Sequence, residues 1–137
     1  MERINPPTVS SPSTYDHVVK IPCKGLVFVS GQIPVDRQGD LVGHDASRQI
    51  HVEAQLRQIY TNIKSCLIAA GADFKEVVRM NTYILVTAMN EYRSLNIRKI
   101  KKEVMGGTYG AGTVVFVAGL MHQDVLAEIE VIAALDH

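Results

Sequence analysis

The chain closes on two apolar strand-like segments, and the second carries a pair of acids that the fold must accommodate. Thr113 to Ala118 is almost wholly apolar, the pattern of a strand buried on both faces. After a short turn, Val125 to Ala134 is apolar except for Glu128 and Glu130. Side chains two residues apart on a strand share a face, so both carboxylates point the same way. A carboxylate on an apolar strand needs a partner, water or a function. The rest of the chain reads as a scaffold that covers these strands and surrounds those acids.

A chain of 137 residues suits a single domain with a core that needs neither disulfides nor metals. Fourteen basic and fourteen acidic residues cancel, which removes any general electrostatic case for nucleic acid or an anionic membrane. Cys23 and Cys66 form no CxxC pair and read as reduced packing thiols. The opening residues lack an apolar signal core, and no apolar run approaches the roughly 18 residues of a membrane span. The expected location is the cytoplasm.

Residues 1–13, with Pro6, Pro7 and Pro12, are expected to form an extended N-terminal arm, and 14–137 a single domain. Thr14 to Ile21 and Leu26 to Ser30 read as two strands of a hairpin turned at Pro22–Gly25. Gly31 follows at once, where a glycine marks either a bend or a close backbone approach. Asp45 or Ser47 can cap a long helix ending near Ala70, with Val52, Leu56, Ile59, Ile63, Cys66 and Leu67 on one stripe. Gly71 is a suitable stop, and Asp73 with Glu76 has the spacing of a capping box. Val77 to Val86 is a strand by its β-branched content and alternation. A second helix runs from Thr87 to the Gly106–Gly107 pair, with a basic cluster of Arg98, Lys99, Lys101 and Lys102 near its end. The order strand, strand, helix, strand, helix, strand, strand gives an α+β fold, a mixed sheet with two helices on one face. Apolar residues on the uncovered face, taken as Val115, Val117 and Ile129, predict self-association through it.

Several chemistries are excluded. The chain has no GxxxxGK[ST] loop, no GxGxxG after a strand, no HExxH and no GxSxG elbow. His17, His44, His51, His122 and His137 show no metal-ligand spacing, so no metal site is expected. What remains is a carboxylate: Glu128 can hold a water and act as a general base, or make a structural hydrogen bond at a subunit interface.

Four segments together resemble the Rid family, also called the YjgF/YER057c/UK114 or L-PSP family. They are Ser30-Gly31-Gln32-Ile33-Pro34-Val35, Ala69-Ala70-Gly71-Ala72-Asp73, Val77-Val78-Arg79-Met80-Asn81-Thr82 and Glu128-Ile129-Glu130-Val131-Ile132-Ala133. The resemblance runs from about residue 14 to the end of the chain. It implies a chorismate-mutase-like α+β fold, a homotrimer and small-molecule clefts between subunits. It also implies hydrolysis of reactive enamine or imine intermediates without a metal or organic cofactor. By position, it implies that Tyr15 is a site tyrosine, Gly31 a pocket-lining glycine, Asn96 a cleft asparagine and Glu128 the acid that positions water. One position departs from the family pattern. Deaminating members carry Pro-Ala-Arg-Ser where this chain has Gly110-Ala111-Gly112-Thr113, so Gly112 replaces the arginine that grips a substrate carboxylate. Val114 replaces the residue two places on. With Phe116, these replacements suggest a wider, more apolar pocket and argue against ordinary 2-imino acid deamination. The expected activity is hydrolysis or tautomerisation of an imine, enamine or related carbonyl compound. The alternatives are a non-catalytic ligand-binding or regulatory trimer and an L-PSP-type endoribonuclease, the last disfavoured by the neutral charge.

Overall fold

The apolar stripe of the first helix decides how the layers stack. Val52, Leu56, Ile59, Ile63 and Leu67 are all fully buried, as the 3.6-residue period requires of one face. Each such side chain contributes about 1.5–3 kcal/mol by leaving water. The structure is a computed structural model and describes residues 2–8, 18–107 and 110–136. In chain order the elements are β1 (Glu2–Ile4), β2 (Val18–Lys20), β3 (Gly25–Gln32), α1 (Val52–Ala69), β4 (Val77–Leu85), α2 (Met89–Ser94), α3 (Ile97–Met105), β5 (Ala111–Val117) and β6 (Ala127–Leu135).

The main sheet has the order β3-β6-β4-β5. Strand β6 runs antiparallel to both β3 and β4, while β4 and β5 are parallel. Parallel strands need a crossover, and here α1 joins β3 to β4 while α2 and α3 join β4 to β5. The result is the α+β architecture expected, with its core between the helices and one sheet face. Ala127, Ile129, Val131 and Ala133 of β6 are buried there with Met80 and Ile84 of β4. Alternation then sends Glu128, Glu130 and Ile132 to the opposite, open face.

Five local expectations are corrected. First, β2 and β3 do not form a hairpin: β2 pairs with β1, and β3 pairs with β6. Second, α1 begins at Val52 rather than at an Asp45 or Ser47 cap. Asp45 Oδ1 instead organises the preceding turn, accepting from Ser47 N, Ser47 Oγ and Gln49 N. The carboxylate of Glu91 on α2 takes over at the helix start, accepting from Val52 N at 2.8 Å. Third, the second helix is broken at Leu95–Asn96, where the Asn96 side chain starts α3 by accepting from Lys99 N. Fourth, β5 is an edge strand with no neighbour beyond it among the described residues, and Val114 and Val115 remain 45% and 39% exposed. Fifth, Ile129 is fully buried under the helices, not on the open face. Val115 pairs with Tyr83 of β4, which itself pairs with Glu128, so Val115 does lie on the open face. The expected capping box forms as read, with Asp73 and Glu76 closing a short 3₁₀ turn.

Candidate functional site

A bulge in β3 creates the candidate site. The β3–β6 register is regular from Gly25 to Val29 and then shifts before Gln32, leaving Ser30 and Gly31 out of the ladder. Such a bulge bends the strand and re-aims what lies beside it. Here it brings the Gly31 backbone against the Glu128 side chain, so a Cβ on Gly31 would collide with the carboxylate. Among the described residues, Glu128 has no hydrogen-bond partner and is half-buried. A carboxylate in this position is available to a water or a ligand.

The second acid is occupied. Glu130 Oε1 accepts from Asn81 Nδ2 at 2.9 Å and from the Tyr83 hydroxyl at 3.1 Å. Because the Tyr83 phenol donates to Glu130, its pKa lies above the ordinary value, and the nearby Glu128 charge pushes the same way. Arg79, Asn81 and Tyr83 form a polar stripe along β4 on the face shared with both acids. That stripe was missed in the sequence, although its signal is the strict alternation of Arg79, Asn81 and Tyr83 with the buried Met80, Thr82 and Ile84.

The other candidate residues lie elsewhere. Gly112 pairs with Met80 and Val114 with Thr82, which places them on the helix-facing side of β5, opposite Glu128. Phe116 continues that side; its ring meets Tyr92 edge-on at 6.0 Å, and the Arg93 guanidinium sits 5.1 Å from its centroid. A Cβ at Gly112 would collide with the Met80 carbonyl oxygen, so glycine permits a close strand approach here. Asn96 is exposed, and its side-chain oxygen is engaged in capping α3. Tyr15 and His17 lie outside the described residues, and His122 is exposed in the turn before β6. One chain therefore joins Gly31 to Glu128, while Gly112 and Val114 belong to a second surface across the sheet. Among the described residues, no group of three or more His, Cys, Asp or Glu side chains could hold a metal ion, and no helix is long and apolar enough to cross a membrane.

The mixed α+β sheet is the fold that the resemblance implied. The family model described as Endoribonuclease L-PSP matches residues 8–135, and the chain belongs to this family, the Rid family. It is 35% identical to the RutC family protein PH0854 of Pyrococcus horikoshii over 109 residues, covering 79% of this chain and 78% of that one. It is also 35% identical over 109 residues to a 2-iminobutanoate/2-iminopropanoate deaminase of Salmonella typhimurium, with the same coverage of 79% and 78%. Among solved structures, the Rid-family protein YyfB of Yersinia pestis superposes with a TM-score of 0.79 at 28% identity, covering 98% of each chain.

Proposed function

We propose that this chain is a small-metabolite enzyme that hydrolyses or tautomerises an imine, enamine or related carbonyl compound in clefts between subunits of a homotrimer. The observation that carries the reading is the Glu128 carboxylate, without a hydrogen-bond partner among the described residues, held against the Gly31 backbone. The similarity to a relative named as an iminobutanoate and iminopropanoate deaminase supports the reaction class. In hydrolysis, the water oxygen adds to the carbon of a protonated C=N group while Glu128 takes the water's proton, giving a neutral carbinolamine. Glu128 then returns that proton to the nitrogen, the C–N bond breaks to release ammonia, and the hydroxyl proton passes to Glu128 or water as the carbonyl forms. Tyr15 is assigned the hydrogen bond to the reacting group, and Asn96 the outer wall.

The split of the candidate residues between two sheet faces supports a cleft built from two chains. Glu128 and Gly31 come from one, and Gly112 and Val114 from its neighbour. With Gly112 in place of an arginine, the site lacks the guanidinium fork that orients a carboxylate, so the preferred substrate differs from a simple 2-imino acid. Ammonia release from freshly generated iminopropionate tests this directly: the native chain should be far slower than a typical deaminase, and matching one would overturn the reading of Gly112. On its own substrate, Glu128→Gln should lower turnover by about 10²–10⁴-fold, the usual share of positioned proton transfer, with assembly unchanged by sedimentation. Unaltered turnover would remove Glu128 from the mechanism.

A further inference from the structure

The short helix α2 carries three consecutive side chains that meet two different neighbours. Glu91 reaches the start of α1, where its Oε1 accepts from Val52 N at 2.8 Å. Tyr92 and Arg93 reach β5: Tyr92 meets the Phe116 ring edge-on at 6.0 Å, and the Arg93 guanidinium lies 5.1 Å from its centroid. A helix of six residues is too short to be stable by itself, so these contacts place it. The anchor on the α1 side includes a group that changes charge. His51 Nε2 lies 3.0 Å from Asp45 Oδ2 and its Nδ1 lies 3.8 Å from Glu91 Oε1. The same side chains border a cavity of about 350 Å³, which Leu95 at the end of α2 also lines. The other charged groups there are Glu53 and Arg57 of α1, and Arg57 is held by Glu53 and by Glu103 of α3. Carboxylates and guanidinium groups keep their charge near neutral pH, so His51 is the member of this cluster that titrates there.

We propose that α2 is a pH-sensitive clamp, in which protonated His51 holds Glu91 and so sets how Tyr92 and Arg93 grip the Phe116 ring. As an imidazolium, His51 attracts Asp45 through one ring nitrogen and Glu91 through the other. As a neutral ring with its Nε2 proton on Asp45, it turns the Nδ1 lone pair towards the Glu91 carboxylate, and attraction gives way to repulsion. Glu91 then anchors α2 through the Val52 amide alone, and the far side of the helix loosens on Phe116. His51, Asp45 and Glu91 are partly exposed, so the shift is that of a surface ion pair, up to about fivefold in an equilibrium. The effect on turnover rests on the proposed cleft, since Phe116 shares its side of β5 with Gly112 and Val114. The clamp itself does not.

NMR titration of the native protein, with the histidine and phenylalanine rings labelled with carbon-13, tests the proposal between about pH 5.5 and 8.5. The chain has three phenylalanines, so Phe116 is read against Phe74 in the core and Phe28 on the open face. The Phe116 signals should move along the His51 titration curve while those of Phe74 stay fixed. Glu91→Gln keeps an acceptor for the Val52 amide but removes the charge that His51 meets, so it should abolish the Phe116 movement with the fold intact. His122→Gln should leave the movement unchanged. A Phe116 ring that stays still while His51 titrates, or that moves undiminished in Glu91→Gln, overturns the proposal. If Glu91→Gln does not fold, the comparison of the three rings in the native chain decides alone. Turnover should fall by up to about fivefold as pH rises through the same curve. Movement of Phe116 without that fall upholds the clamp and removes this side of β5 from the cleft.

Discussion

Gly31 and Gly112 are both places where a side chain has no room, but the obstacles differ. At Gly31 the obstacle is the end of the Glu128 side chain, which can swing away. Gly31→Ala should therefore keep the fold and its melting temperature while displacing the carboxylate, seen as a fall in turnover without loss of assembly. At Gly112 the obstacle is the Met80 carbonyl oxygen, part of the β4 backbone. Even Gly112→Ala should destabilise by about 1–3 kcal/mol, the usual cost of overpacking, measured by chemical denaturation. A variant as stable as the native chain would show that the strands do not approach so closely. Strand parity made the shared direction of Glu128 and Glu130 legible in the sequence, and the Ser30–Gly31 motif pointed to the glycine beside them. The meaning of Gly112 was not legible, because it depends on the distance to a strand thirty-odd residues earlier.

Between elements, a few polar contacts hold α1 in place. Gln55 is fully buried; its Nε2 donates to Asp124 O at 2.8 Å, and its Oε1 accepts from Leu126 N at 2.7 Å. Gln55→Leu should cost about 1–3 kcal/mol for each backbone group left unpaired, read as a lower denaturation midpoint. At the start of α1, His51 Nε2 lies 3.0 Å from Asp45 Oδ2, and its Nδ1 lies 3.8 Å from Glu91 Oε1, with Glu53 and Arg57 lining the same cavity. The hydrogen bond to Asp45 raises the His51 pKa above 6.5, and the hydrogen bond from Ser47, followed by that from His51, lowers the Asp45 pKa well below 3.8. His51 contributes stability that is full below its unfolded pKa of 6.5 and is lost as pH rises through the higher folded value. Asp45 contributes stability present above 3.8 and lost as pH falls towards its lowered value. Melting temperature should thus decline on raising pH past neutrality in the native chain, and His51→Gln should flatten that limb. The stripe of α1 was readable because packing follows a local period. Its true start was not, because the partner of the first amide, Glu91, lies 39 residues downstream. The partner of β3 was equally hidden, since β6 claims it from the far end of the chain.

At the scale of the whole molecule, one sheet face is covered by helices and the other, among the described residues, is not. Leu26, Phe28 and Val115 are exposed on or beside that open face, together with the polar stripe of β4. Apolar exposure of this kind marks an association surface. On the proposed homotrimer, Phe28→Glu should shift sedimentation from trimer towards monomer while the far-ultraviolet circular dichroism is retained. An unchanged sedimentation profile would show that assembly uses other residues. The two-layer architecture was legible from the order of the elements. The exposure of β5 was not, because its apolar composition is the same whether a strand lies inside a sheet or at the edge of a single chain.

The contact between Gly112 and Met80 also bears on how this site could be re-engineered. Putting an arginine at position 112 is a one-residue edit on paper, but the backbone has closed over the space that its first carbon needs. Strand β5 must be let out before the side chain can go in, so the order of changes matters. Loosening substitutions around Met80 would have to come first, and the guanidinium last.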